Sequence, residues 1–453
     1  MYKERAAEHL ERLCYHAVRG ELWDKAHRYL EQAGLKALAR SANRDAVLSF
    51  EQALEALRQL PESRAVIERG IDVRLELRSA LHPLGEFDQV FDTLRKATEL
   101  AESIGDERRQ GRVLSYLVQS FRLVGDYPRA IEAGKRALAI SQVFGDFGIL
   151  APANFHLGQA FFHLGDHRRA AEFHFSNIQA LDGKLSKDRL GMAGIPLVFS
   201  RGHLCWSLAE LGRFAEGVAH WQEAMNLASE VKHPFSEAFA RYCGGFLYIR
   251  KGEIERAITH LEPGLAMCRS MNNRLDLPFV ASFLGLAYAF EGRPNDGIPL
   301  LEEAVQEATT LKLRSGQSWL VGMLAYAYMF ADRLPEAAVL ALQAIGLAQE
   351  RSERSWIAWA QYFLGQIRSA KGNADLDEAR IAFESGLAEA RAMELRPLVA
   401  RFELGLGQLH RRTHENDAAY TYLTDAVSNL REMQMPHWLQ KAEAELQGLQ
   451  AQA

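Results

Sequence analysis

Apolar and small residues recur along this chain at helical spacing, and no stretch alternates with the period of two that a strand requires. Residues 3–19 read as a helix with Ala6, Leu10, Leu13 and Ala17 on one face. Gly20 breaks it. Trp23 to Ala39 follows with Ala26, Leu30 and Ala33, and Asn43 to Leu60 with Ala46, Phe50 and Ala53. Pro61 and Ser63 end one helix and start another. From Glu86 onward the spacing predicts helix pairs whose second members begin near Phe87, Tyr127, His167, Phe214, Ile254, Pro294, Leu334, Asp375 and Glu415. The whole pattern predicts about 22 helices.

The pairs repeat with a fixed period. A small residue five positions after each turn falls at Val90, Ala130, Ala170, Gly217, Ala257, Gly297, Ala337, Ala379 and Ala419. Successive intervals are 40, 40, 47, 40, 40, 40, 42 and 40 residues. The turn itself carries Gly85, Gly125, Gly165, Gly212, Gly252, Gly292 and Asp332, where positive φ is needed to leave a helix. Self-similarity at this period marks a stack of supersecondary units. The long interval holds an insertion, residues 182–194, whose glycines and charges predict an exposed connector. Pro436 through Gln452 reads as an amphipathic terminal helix that caps the array.

Leu157-Gly158 with Phe161, Leu284-Gly285 with Tyr288, and Leu324-Ala325 with Tyr328 share one offset from the small residue. Leu-Gly-x-x-Tyr, a Gly-Asp-Tyr turn such as Gly125-Asp126-Tyr127, and a following Ala…Leu…Ala helix resemble the tetratricopeptide repeat (TPR). The unit is longer here, by about one turn per pair. The resemblance implies an all-α, right-handed TPR-like superhelical solenoid of antiparallel helices. It covers residues 81–453, with the C-terminal cap included, and leaves residues 1–80 as an irregular helical cap or linker.

Composition adds exclusions. The 453 residues carry a net charge of −5 with charges of both signs scattered along helices, so there is no basic stripe for nucleic acid. No segment reaches the roughly 18 apolar residues of a membrane span. The N-terminus has no apolar signal region, so a cytoplasmic location is the expectation. Cys14, Cys205, Cys243 and Cys268 lack metal or redox spacing and read as small buried residues of a reducing compartment. No phosphate loop, dinucleotide fingerprint or His-Glu-x-x-His is present, and His163 and His167 are divided by the Gly165-Asp166 turn. The expectation is no enzyme, no cofactor and no metal.

First helices of such an array line the inner wall. Positions 18, 11 and 7 before the repeat mark share a stripe there, and in the middle repeats it is aromatic. Phe199, Trp206, Phe239, Phe246, Phe290, Trp319, Tyr326, Phe330 and Trp359 lie on it. Gln159 and Gln366 take its middle position towards the ends, and Arg122 and Arg250 add positive groups. Two readings stand: the rings pack between repeats as core, or they line a concave groove for a peptide or protein partner.

A narrower resemblance lies in the opening. Glu8-His9-Leu10-Glu11-Arg12-Leu13, His16-Ala17-x-x-Gly20-Glu21-Leu22-Trp23 and Leu81-His82-Pro83-Leu84-Gly85-Glu86-Phe87 resemble the segment that joins the ATPase module to the repeats in bacterial adenylate/guanylate cyclase–ATPase signalling proteins. That resemblance implies a sensor module that receives a partner or ligand and controls a neighbouring ATPase, and the first reading is a module for a protein or peptide partner. The alternative is a small-ligand sensor, similar to the repeat domain of maltose-responsive transcription activators, with a small-molecule effector.

Overall fold

The computed structural model describes residues 10–370, 372 and 375–451. These form 22 α-helices joined by short turns, with no strand among the described residues. They are α1 Leu10–Arg19, α2 Trp23–Ala39, α3 Asn43–Arg58, α4 Arg64–Leu81, α5 Phe87–Ser103, α6 Glu107–Leu123, α7 Tyr127–Phe144 and α8 Phe147–His163. Next come α9 His167–Leu181, α10 Pro196–Glu210, α11 Phe214–Val231, α12 Pro234–Lys251, α13 Ile254–Ser270, α14 Leu277–Phe290 and α15 Pro294–Thr310. The last seven are α16 Gln317–Phe330, α17 Leu334–Glu350, α18 Arg354–Ala370, α19 Leu376–Ala392, α20 Arg396–Arg412, α21 Asn416–Glu432 and α22 Pro436–Gln450. The expected helix over residues 3–9 and the expected end at Gln452 lie outside the described residues. No described helix is long and apolar enough to cross a membrane.

Local chemistry explains the punctuation. Every turn residue from Gly85 to Gly292 has positive φ, and Asp332 takes the same conformation at φ 58°. Asp106, Asp126 and Asp166 accept backbone N–H bonds at the starts of α6, α7 and α9, which satisfies orphan donors there. The small marks let helices close up: Ala130, Ala170, Ala257 and Ala337 are fully buried. At the tightest point, a Cβ on Gly297 would sit 2.2 Å from the Gly285 carbonyl oxygen, so α14 and α15 meet backbone to backbone.

The solenoid winds so tightly that its coils touch. Backbone N–H groups of Arg314 and Ser315 donate to the Leu123 carbonyl at 3.0 and 3.2 Å, and Leu275 N–H donates to the Pro83 carbonyl at 3.2 Å. The end of one first helix thus meets the start of another about five repeats later. Side chains repeat the offset: Trp356 Nε1 donates to His163 Nδ1, and Phe235 N–H to Ser41 Oγ. Turn glycines face the next coil as well, Gly85 against Leu311, Gly165 against Met393 and Gly212 against Met433. The array therefore has a closed axis rather than an open trough.

The insertion departs from expectation. Residues 182–184 are exposed, but Met192, Gly194 and Ile195 are buried. The Gly191 carbonyl accepts from Ser79 Oγ at 2.7 Å and from Tyr116 Oη at 2.8 Å. The second half of the loop folds inward because its apolar residues cover the axis, and its own backbone is satisfied by first-helix side chains.

Candidate functional site

Rings of the inner wall pack across the axis through much of its length. Trp319 stacks on Trp356 with centroids 4.3 Å apart and planes 9° from parallel. Trp206 and Phe246 meet the Trp319 ring edge-on. Tyr326 lies against Phe363, and Phe290 and Phe330 against each other. Aromatic pairs of this kind contribute beyond their buried area. Trp206, Phe246, Trp319, Tyr326 and Trp359 are all buried. Phe290, Phe330 and Gln366 are half-buried.

Arg250 is held within this packing. Its Nε donates to Glu210 Oε1 at 2.7 Å, and its guanidinium lies 3.8 Å from the Trp359 ring centroid. Trp359 Nε1 donates to the other oxygen of Glu210 at 3.1 Å. Both carboxylate oxygens of this buried ion pair are engaged, while Arg250 Nη2 is buried without a hydrogen-bond partner.

Between the rings of Phe155, Phe199 and Phe239 and polar side chains of α4, α6 and α8, a cavity of about 70 Å³ opens. That is room for several waters or a compact small molecule. Arg122, Gln159, Phe199, Trp206 and Phe239 line it. Gln119 and Phe279, at the same stripe positions of their repeats, line it too, and residues outside the expected stripe complete it: Arg78 and His82 from α4 and the turn after it, His156, His203, Met192, Tyr242 and Asp276.

Polar groups inside are arranged in order. His156 Nδ1 donates to Gln159 Oε1 at 3.1 Å, and Gln159 Nε2 donates to His203 Nε2 at 3.0 Å. The His203 proton therefore sits on Nδ1, which has no partner. Both ring nitrogens of His82 are also buried and unbonded. Burial holds His82, His156 and His203 well below the ordinary imidazole range, helped by Arg122 at all three and by Arg78 at His82 and His156. They are neutral at pH 7.

The two arginines carry the cavity's positive charge. Arg78 Nη2 donates to Gln119 Oε1 at 2.6 Å, and its guanidinium stacks 3.8 Å from the Tyr116 ring centroid. Arg122 Nη1 donates to Ser315 Oγ at 3.3 Å, across to the next coil. Burial lowers each to about 10, so both remain charged at pH 7. Asp276 is the one carboxylate on the lining. It is engaged by Asn273 Nδ2 at 2.8 Å and lies 3.5 Å from Tyr242 Oη. Burial raises it to about 6.

No serine, threonine or cysteine is among the described residues that line the cavity. Burial pushes the Cys205 and Cys243 thiols up, away from thiolate. The His156–Gln159–His203 chain ends on no hydroxyl or thiol. No cluster of three metal-ligating side chains occurs among the described residues.

The pairs, the turns and the superhelical winding define an all-α solenoid of the TPR type. No protein-family model matches the sequence, and no curated protein matches it either. Among solved structures, a Rap protein in complex with competence and sporulation factor superposes with a TM-score of 0.59 at 11% identity, over 80% of this chain and 98% of that one. That likeness shows the fold. A signal transduction ATPase with numerous domains that carries a tetratricopeptide repeat sensor, from Pyrococcus horikoshii, gives a TM-score of 0.45 at 14% identity. It matches over 83% of this chain, and this chain spans 54% of its length.

Proposed function

We propose that the chain is a non-catalytic regulatory binding module that takes a protein or peptide partner on the cavity end of its inner wall. One observation supports the reading above others. Arg122, Gln159, Phe199, Trp206 and Phe239, contributed by four different helices, converge on a single axial cavity. Wall residues deeper along the axis, such as Trp319 and Trp359, are already occupied by other rings. A partner therefore meets the wall at the cavity mouth, near Phe279, by inserting one anchoring side chain. The resemblance of the opening segment to cyclase–ATPase signalling proteins gives the module its setting, as the cytoplasmic sensor end of such a protein. The Rap protein, solved with its factor bound, offers a parallel for a solenoid of this shape that holds a signalling molecule.

Display-selected peptides, titrated against intrinsic tryptophan fluorescence, test this. Trp206 lines the cavity, so an occupied cavity changes its emission. Phe279→Ala, at a half-buried mouth position, should weaken peptide binding at least tenfold and leave folding intact. Peptides that bind Phe279→Ala as tightly as the native chain, or ATP turnover by the purified chain, would remove the reading.

A smaller ligand is the second reading, favoured by the enclosure. A space of about 70 Å³ admits a side chain or a small molecule but no helix.

A further inference from the structure

The axial cavity holds two cations that the fold does not neutralise. Arg78 and Arg122 are 3% and 5% exposed, and neither has a carboxylate oxygen within ion-pair distance among the described residues. Glu76 influences Arg78 at longer range but turns towards Arg189, 4.0 Å away. Asp276 influences Arg122 at longer range and is engaged by Asn273. Nε of both arginines is buried without a hydrogen-bond partner.

The contrast with Arg250 is informative. On the same wall, at comparable burial, that guanidinium has Glu210 as a dedicated counter-charge. A buried charge without a partner is strongly unfavourable. Where such groups line an open space rather than packed core, the missing counter-charge points to something that enters the space. Further unpaired groups belong to residues that line the same space: both nitrogens of His82 and Nδ1 of His203. The lining also offers apolar surfaces, the rings of Phe155, Phe199 and Phe239 and the side chain of Met192, with Phe155 and Phe239 in contact with His203.

We propose that the cavity is a binding site for a small oxyanion, a carboxylate or a phosphate on a compact and partly apolar body, held by the guanidinium groups of Arg78 and Arg122. Planar forked donors suit both anions. The rings take the body, and His203 Nδ1–H supplies a neutral donor. Because Arg122 also reaches Ser315 on the next coil, the bound anion reinforces the contact between coils. This inference deepens the small-ligand reading of the same cavity and stands apart from the peptide reading.

The test uses the full chain and three probes at constant ionic strength: benzoate, inorganic phosphate, and benzamide as a neutral molecule of benzoate's shape. Calorimetry should give one saturable site per chain for benzoate, phosphate or both, and none for benzamide, with a melting temperature that rises with ligand concentration. The two anion arms separate a carboxylate from a phosphate source. Arg78→Met and Arg122→Met should each weaken anion binding at least tenfold, while the ligand-free melting temperature holds or rises, because an unpaired buried charge has been removed. An arginine with a purely structural role would instead lower it. Equal binding of benzamide and benzoate, or the absence of saturable anion binding up to about 10 mM, overturns the proposal. The native chain alone decides that comparison, whatever the variants do. Selected peptides that still bind in a Phe279-dependent way while all anions fail would leave the partner reading standing and remove only this one.

Discussion

Tyr127 Oη donates to Glu353 Oε1 at 2.6 Å, although 226 residues separate them. Tyr127 opens a helix of the first coil, and Glu353 caps a turn of the next. Ser318 Oγ and, at 3.4 Å, the Gly316 N–H also donate to this carboxylate. Burial still raises the Glu353 carboxyl, and these donors only partly pull it back. The pair joins coils that the repeat pattern alone leaves unconnected.

Tyr127→Phe removes this donor and keeps the ring. We expect a loss of about 1–3 kcal/mol, the usual consequence of leaving a buried acceptor short of a partner. Urea unfolding measures it. A loss below about 0.5 kcal/mol would mean the coil contact carries no weight.

Trp319→Ala should behave as a core substitution. Its ring is stacked on Trp356 and touched edge-on by Trp206 and Phe246. A loss of about 3–5 kcal/mol is expected. Thermal melting followed by circular dichroism reads it, and an unchanged melting temperature would place Trp319 on an open surface instead.

Stability should fall steeply on acidification. His82, His156, His163 and His203 are held well below 6.5 by burial, while His167 and His233 are lowered to about 4 and His174 to about 3. Their folded forms bind fewer protons than the unfolded chain, so their contribution is complete above 6.5 and lost as pH falls below it. Each histidine that stays neutral costs about 1.4 kcal/mol per pH unit below 6.5. Asp276, raised to about 6, works the other way between 6 and its ordinary 3.8, as do Glu31, Glu76, Glu353 and Glu403, whose carboxyls burial also raises, so these groups offset part of the loss at the acid end. Urea midpoints at pH 7.5 and 5.5 should differ strongly, and equal midpoints would show the imidazoles to be hydrated.

Two glycines should respond with opposite signs. Gly297→Ala forces a Cβ against the Gly285 carbonyl and should lose about 1–3 kcal/mol. Gly346 lies mid-helix, exposed, with open space around its Cβ position, so Gly346→Ala should gain up to about 1 kcal/mol. Melting temperatures of the two variants, compared side by side, decide the matter.

The repeat was legible because each turn residue and each small mark answers a local demand: positive φ at Gly125, contact without bulk at Ala130. The starts of second helices at Phe87, Tyr127 and Pro294 follow from the same rules. The winding was not legible, since it sums small rotations at every interface, and no single residue encodes that Leu123 will meet Ser315. The filled axis therefore stayed hidden, and rings such as Trp319 could be read as core between repeats or as groove. Gln119 and Gln159, standing where Trp206 and Phe246 stand later, were the visible sign that the wall changes character. Arg78, His82, His156 and His203 were missed because lone polar residues on a helix look solvated until the opposite coil covers them. The insertion misled for a related reason: glycine and charge content describes its first half, and Met192 belongs to the interior.

Contacts between coils also change how such an array comes apart. A solenoid joined only through neighbours can fray from either end, one unit at a time. Here Met433 and Trp438 sit against Gly212 and Gly252 of the preceding coil. Loosening the last helices uncovers the middle of the chain, so fraying is coupled to global melting. The protein should lose its structure in one sharp step, and its folding should be slow for an all-helical chain, because its decisive contacts lie so far apart in sequence.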